Sequence, residues 1–179
     1  MKPESKKYTV EIEGKQILIE TGTLADRAGG ALTVQIGESV MLGTATMSDD
    51  ALETADFFPL TVNYEERLYA SGSIPGSFFR REGRPTTESI LICRLTDRPL
   101  RPLFPKGMRN EVQIIITTLS SDGEQHLDIM AVNAASCALM ISDIPWNGPI
   151  GAVRVGYIDG EFVAMPTIPQ MADSPLDLR

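Results

Sequence analysis

Positive charge is in short supply in this chain: 16 lysines and arginines face 24 aspartates and glutamates, for a net charge of −8. That excludes a histone-like or generally adhesive nucleic-acid binder, because diffuse attraction to a polyanion needs the opposite sign. Cysteine is scarcer. The only two, Cys93 and Cys137, fall in apolar helical patterns, which excludes a disulfide framework. Reduced, buried thiols fit a reducing compartment, so the expected location is cytoplasmic. No hydrophobic run reaches the length of a membrane span, and no membrane partner is expected. The start, Met-Lys-Pro-Glu-Ser-Lys-Lys, has no apolar signal core. The single histidine, His126, has no Ser, Cys or Asp partner by spacing. It is expected in a solvated loop rather than as a general base. The acidic run Asp49, Asp50, Glu53 and Asp56 reads as a solvated loop between strands, not as a metal site. Internal repeats and low-complexity segments are absent.

What is present is a hydrophobic content of 42% over 179 residues, enough for one domain with a sizeable core. Alternating residues from Tyr8 to Ile12 and the run Ile17–Ile19 flank a turn at Glu13-Gly14-Lys15 and predict a hairpin. A second hairpin is expected from Leu32–Ile36 and Val40–Thr46, and a short strand from Leu60 to Tyr64. The apolar residues Ile90, Leu91, Ile92, Cys93 and Leu95 predict a deeply packed helix over 87–97, ended by Pro99 and kept from resuming by Pro102 and Pro105. The β-branched run Ile114–Thr118 predicts a central strand. Asp128–Ile141 reads as a second helix, whose alanines allow close packing on a sheet. Residues 150–158 and 162–164 flank Asp159-Gly160 and predict a third hairpin. The order predicts an α+β fold, a mixed sheet with two packed helices. Leu176–Arg179 begins an alternating strand and stops. That suggests a domain cut short at its C-terminus, the alternative being a frayed natural end.

Between these elements, Gly72–Pro85 is a glycine- and proline-rich loop that holds Phe78, Phe79, Arg80 and Arg81 in succession. Flat rings can stack on bases and guanidinium forks can hold phosphates, so a loop can aim all four at one strand of nucleic acid. Arg80 to Arg109 contains eight basic residues against three acidic ones, so a local positive excess sits in an otherwise strongly acidic chain. Arg94 and Arg98, four apart, share a narrow helical face, and Arg101 follows the helix. These three are candidate phosphate or RNA contacts. The competing structural reading pairs them with acids such as Asp97.

The segments Asp56–Arg67, Ile74–Pro85, Arg94–Pro105 and Asn147–Gly156 together resemble the first ribonuclease-PH-like core domain of the polynucleotide phosphorylase family. The resemblance covers nearly the whole chain and implies a ribonuclease PH-like (ribosomal protein S5 domain 2-like) fold. It implies a phosphate-dependent 3′-to-5′ exoribonuclease active in mRNA degradation. In that reaction inorganic phosphate is co-substrate, nucleoside diphosphates are released, and the reverse reaction polymerises them. It further implies a homotrimeric ring, partners in an RNA-degradation complex, magnesium bound outside this segment, and single-stranded RNA gripped by Phe78, Phe79, Arg80 and Arg81. Family loops often carry a basic residue where Ser73 stands here, which would soften that grip.

No catalytic residue or metal ligand is expected within this chain. In the family's catalytic core, serines at a helix N-terminus hold the attacking phosphate. Here Asp128 stands at the corresponding helix start, with Glu124 nearby. The resemblance also aligns Asp177 with one of two metal-binding aspartates, while Met171 replaces the other and Arg179 replaces a lysine. Two rival readings remain: a free-standing, non-catalytic RNA-binding or assembly subunit of an exosome-like ring, and an enzyme of the ribonuclease PH type acting alone.

Overall fold

The computed structural model describes residues 4–52, 54–76, 78 and 81–179. Its larger sheet is built from β1 (Lys6–Ile12), β2 (Lys15–Thr21), β3 (Gly30–Ile36), β4 (Ser39–Ala51), β5 (Leu60–Glu65) and β6 (Asn110–Ser120). The strand order is β1-β2-β3-β4-β6-β5, with β5 parallel to β6 and the other pairs antiparallel. The β1–β2 turn places Glu13 and Gly14 at φ 47° and 76°, the left-handed pair that a tight hairpin requires. Period-two burial runs through β3, β4 and β6, so Leu32, Val34, Met41, Ala45, Val112, Ile114 and Ile116 line one buried face. Each such large aliphatic side chain contributes about 1.5–3 kcal/mol on burial.

Two expectations need correction. Strand β4 runs on to Ala51, so Asp49 and Asp50 lie at its exposed end rather than in a loop. The pairing with β6 shifts register between Met47 and Ala51, and side chains help to hold that end: the Ser48 hydroxyl accepts the Glu111 N–H and the Asn110 amide donates to the carbonyls of Ser48 and Asp49. Helix α1 (Thr87–Leu100) passes through Pro99. Proline removes one N–H in the last turn, but the Arg101 N–H still reaches the Asp97 carbonyl, and a 3₁₀ turn over Arg101–Leu103 continues the path.

Helix α2 (Leu127–Met140) is buried nearly all round. It packs on β3, β4 and β6, while α1 packs on β5 and against α2. The distance from α2 to the sheet is set by two glycines. A β-carbon on Gly30 would lie 2.1 Å from the Ala138 carbonyl oxygen, and one on Gly43 would lie 3.0 Å from that of Ala134. Ala131, Ala134, Ala135 and Ala138 complete this backbone-close contact and are fully buried.

A second, three-stranded sheet follows, in the order β8-β7-β9, formed by β7 (Val155–Ile158), β8 (Glu161–Ala164) and β9 (Asp177–Leu178). A one-turn helix α3 (Ile168–Met171) lies between β8 and β9. Residues 150–154, expected within the strand, lie outside it. Asn133 of α2 holds this approach instead by exchanging two hydrogen bonds with the Ala152 backbone. The two sheets are joined by the β1–β2 turn, where the Glu13 carboxylate accepts the Ala164 N–H and the Lys15 ammonium donates to the Met165 carbonyl. The carboxylate of Asp122 ties the loop before α2 to the β3–β4 turn. It accepts from the Ser39 hydroxyl and from the N–H groups of Glu38, Glu124 and Gln125.

The glycine contact predicts that Gly30→Ala lowers stability by about 1–3 kcal/mol, as overpacking does, and Gly43→Ala by less. Gly151, with nothing within 4 Å of an added β-carbon, should tolerate alanine to within about 0.5 kcal/mol. Urea unfolding of the three variants checks the ranking. Equal midpoints for Gly30→Ala and Gly151→Ala would refute it.

Candidate functional site

Loop 72–85 leads from β5 into α1 and carries the aromatic and cationic residues singled out above. Phe78 is 94% exposed, so this ring does not plug the core. Arg81 is exposed as well. Phe79 and Arg80 lie outside the described residues. The loop's far side is anchored at the start of α1. The Thr86 hydroxyl caps the helix by accepting the Ser89 N–H, and the Glu82 carboxylate accepts the Leu68 N–H. Between loop and helix lies a cavity of about 350 Å³ whose walls include Glu66, Arg67, Arg81, Glu82 and Arg84.

Arg94 and Arg98 continue this surface along α1. Both are exposed, and among the described residues their side chains form no ion pair or hydrogen bond. Leu91 lies on the same stripe and is 59% exposed. Arg101 is placed differently. Its guanidinium makes a two-pronged contact with Asp97, 3.0 and 2.7 Å, and donates to the carbonyls of Phe58 and Leu60. It staples α1 to the entrance of β5, with Phe58 beneath its charge.

A second, larger cavity of about 670 Å³ opens at the N-terminus of α2. One wall is apolar, from Tyr64, Leu91, Ile92 and Leu95, and the other carries Gln125, His126, Asp128, Arg154 and Arg179. Burial pushes the Tyr64 phenol up to about 12, and its oxygen accepts from the Thr118 hydroxyl. At the polar wall, Asp128 holds the position that an anion at a helix start would take. Its carboxylate accepts the Ile129 N–H at 2.9 Å, and it is 7% exposed.

Arg154 connects everything at this wall. Its Nε and Nη2 donate to the two oxygens of Asp177 at 2.7 and 2.6 Å. Its Nη1 reaches His126 Nδ1 at 2.9 Å and Asp128 Oδ2 at 3.5 Å. Arg179 adds a 2.9 Å contact to Asp128. An arginine can only donate, so Nδ1 of His126 accepts and its proton sits on Nε2. That nitrogen is buried without a partner among the described residues. His126 therefore belongs to a buried polar network and not to a solvated loop. Burial first, and then the Arg154 charge, holds its pKa below the usual 6.5. The Arg154 hydrogen bonds hold Asp177 below its usual 3.8.

Both carboxylates of this wall are thus committed to guanidinium groups. Among the described residues no cluster of three or more His, Cys, Asp or Glu side chains could hold a metal. A divalent cation would have to displace two arginines, so the donor set does not fit magnesium. Sequence reasoning missed Arg154 and its partnership with His126. The available signal was a lone arginine inside the apolar run Gly151-Ala-Val-Arg-Val-Gly156.

A profile described as the 3′ exoribonuclease family, domain 1 (RNase_PH) matches residues 13–145. The chain is 53% identical over 178 residues to a polyribonucleotide nucleotidyltransferase of Thermomicrobium roseum, a span of 99% of this chain and 22% of that protein. It is 54% identical over 176 residues to a polyribonucleotide nucleotidyltransferase of Thermus thermophilus, covering 98% of this chain and 24% of the relative. The chain thus spans less than a quarter of the length of these curated relatives. Among solved structures, rice (Oryza sativa) Rrp46 superposes with a TM-score of 0.64 at 13% identity, over 97% of this chain and 73% of that one. The Archaeoglobus fulgidus exosome with RNA bound to its active site gives 0.62 at 18% identity, over 94% and 68%. At those identities the likeness establishes the fold, which is the α+β ribonuclease PH type.

The network dictates an acid-sensitive stability. Asp177, titrating below its unfolded value, stabilises the fold above about pH 4 and loses that contribution as pH falls through its folded-state pKa. His126 resists protonation in the fold, so stability starts to decline once pH drops below its usual 6.5. Melting temperatures followed from about pH 7 to pH 3 should show a shallower upper decline in His126→Gln and a shallower lower one in Asp177→Asn. A profile for Asp177→Asn that runs parallel to the parent would contradict the assignment.

Proposed function

The chain belongs to the 3′ exoribonuclease family, and on that footing we propose that it serves a phosphate-dependent 3′-to-5′ exoribonuclease that releases nucleoside diphosphates from RNA. Its own part is to guide single-stranded RNA. The observation that carries this reading is the exposure of Phe78 and Arg81 on one loop, followed on α1 by the exposed Arg94 and Arg98. Phe78 stacks on a base, which is worth about 1–3 kcal/mol per base in single-strand binding. Arg81, Arg94 and Arg98 meet phosphates along the strand. The family resemblance supports the same role for Phe79 and Arg80. Arg101 is left out of this track, since its N–H groups hold β5 and α1 together.

The chemistry itself is proposed to lie on residues outside this chain. A phosphate at the start of α2 would meet the buried Asp128 carboxylate, and the guanidiniums that could attract it are already paired. Magnesium, held elsewhere in the enzyme, would supply charge neutralisation at the reacting phosphate. A homotrimeric ring, a cytoplasmic location and partnership in an RNA-degradation complex rest on the family resemblance. The second reading, a non-catalytic subunit of an exosome-like ring, draws on the fold likeness to Rrp46. The far higher identity to polyribonucleotide nucleotidyltransferases favours the first.

Two measurements test the reading. Incubated with labelled oligoadenylate and inorganic phosphate, the purified 179-residue chain should bind RNA and release no nucleoside diphosphate. Robust release would place the chemistry here after all. In a salt titration, Arg94→Ala/Arg98→Ala should reduce the slope of log affinity against log salt by about 1.4, given about 0.7 counterions per single-strand phosphate contact. Phe78→Ala should instead cost affinity at every salt concentration. An unchanged slope in the double variant would remove α1 from the RNA track.

A further inference from the structure

The β1–β2 and β3–β4 turns project from the same end of the larger sheet, because β2 and β3 run antiparallel and their pairing begins at Ile17–Ile36. Lys15 and Gln16 of β2 reach beyond that first pair. Between the turns, bordered by Gly14 and Gly37, lies a notch of about 350 Å³, within the size range of small-molecule sites. Gln125, from the loop before α2, forms part of its wall. This residue is 9% exposed, yet its carboxamide forms no hydrogen bond among the described residues. Its backbone is fixed, since its N–H donates to Asp122 at 3.2 Å. Its amide nitrogen lies 3.7 Å from where a β-carbon on Gly37 would stand. The amide end is thus on the notch side, although the residue also borders the cleft at the start of α2. Buried carboxamides are nearly always hydrogen-bonded, so an open one in a cavity wall marks a place for a partner. Gln35 stands in the same wall and donates to the Gly37 carbonyl at 3.0 Å. That bond orients its carboxamide and leaves the oxygen open among the described residues. Gln16 is exposed at the rim.

Charge narrows the choice of ligand. Among the described residues that line the notch, Lys15 is the one charged group. Its ammonium already donates to the Met165 carbonyl and has Asp122 and Glu124 within electrostatic reach. An anion gains little in that setting, and a cation finds no carboxylate in the wall. A neutral ring with donors and acceptors on its edge fits instead. A glutamine amide presents the donor–acceptor pair that matches N6 and N7 of adenine. Leu18 and Ile36 supply aliphatic surface for the ring. We propose that the notch is an adenine site, in which Gln125 pairs with the N6/N7 edge, Gln35 and Gln16 complete the polar contacts, and Leu18 and Ile36 cover the ring. The base can belong to a free nucleoside or to a strand of RNA, since the recognising chemistry is the same. The site shares no lining residue with the cavity between the loop and α1, and it does not depend on the RNA-guiding role.

Nuclear magnetic resonance on the whole chain, with glutamine side-chain amides and Leu and Ile methyl groups labelled, tests the site. Adenosine should shift the Gln125 amide signals together with the Leu18 and Ile36 methyls. Its 7-deaza analogue, which lacks the N7 acceptor, should bind about tenfold more weakly, the discrimination expected of a two-point base contact. Gln125→Leu, close in size and without the amide, should weaken adenosine by a similar factor. Inorganic phosphate should leave these signals where they are. A response to adenosine assigns the site to free nucleosides, and a response to oligoadenylate alone assigns it to bases presented by RNA. Both uphold it. Silence towards both ligands overturns the proposal. So does undiminished binding of the 7-deaza counterpart, and so does an equal response to inorganic phosphate, which would make the notch an anion site. Should Gln125→Leu fail to fold, the 7-deaza comparison on the parent chain decides.

Discussion

Helix α2 approaches the sheet until backbone meets backbone, and the rest of the molecule is arranged around that contact. Only glycine fits at the position of Gly30, because a single added carbon would overlap the carbonyl of Ala138. The alanine face of α2 then has no freedom to rotate or slide, and the helix start is fixed relative to β4 and β6. Asp122 locks the loop that enters it. Whatever stands at the first turn of α2 is consequently held where α1, α2 and the second sheet converge. In this chain that group is a carboxylate.

That placement explains why the chain's arginines behave so differently from one another. Arg154 is buried and cannot remain there without partners, since an unpaired internal charge costs several kcal/mol. Asp128, Asp177 and His126 surround it. Arg101 is drawn to carbonyls left open where the chain enters β5. Arg94 and Arg98 face outward along a helix stripe and form no ion pair among the described residues. One composition thus supplies both inward, paired arginines and outward, exposed ones, and geometry alone sorts them.

Much of the architecture was legible in the residues. The turns at Glu13-Gly14, Gly37 and Asp159-Gly160, left-handed in the structure, marked all three hairpins, and the apolar runs marked the two long helices, though not the one-turn α3. The failures have a common cause. Asp49 and Asp50 continue β4 as a bulge between the Met47–Val112 and Ala51–Asn110 pairs of β6, and local side-chain patterning carries no trace of such distant pairing. Helix α1 passes Pro99 because the missing N–H falls in its last turn, where the next turn tightens to compensate. His126 was read as solvated because its partner, Arg154, lies 28 residues away in sequence, beyond any local spacing rule. The aromatic-cationic loop was identifiable because glycine and proline isolate it from every periodic element. The exposure of Phe78 agrees with that isolation.

The division between inward- and outward-facing guanidiniums also shapes the field around the molecule. Paired charges nearly cancel at a distance, so the long-range potential comes from the surplus acids and from exposed cations such as Arg94 and Arg98 on α1. At physiological ionic strength that potential decays over about 8 Å. On the proposed RNA-guiding reading, an approaching polyanion is repelled over most of the surface and received along one narrow strip. On that reading selection by repulsion precedes any recognition of bases, and the acidity that rules out a general binder is what orients the incoming strand.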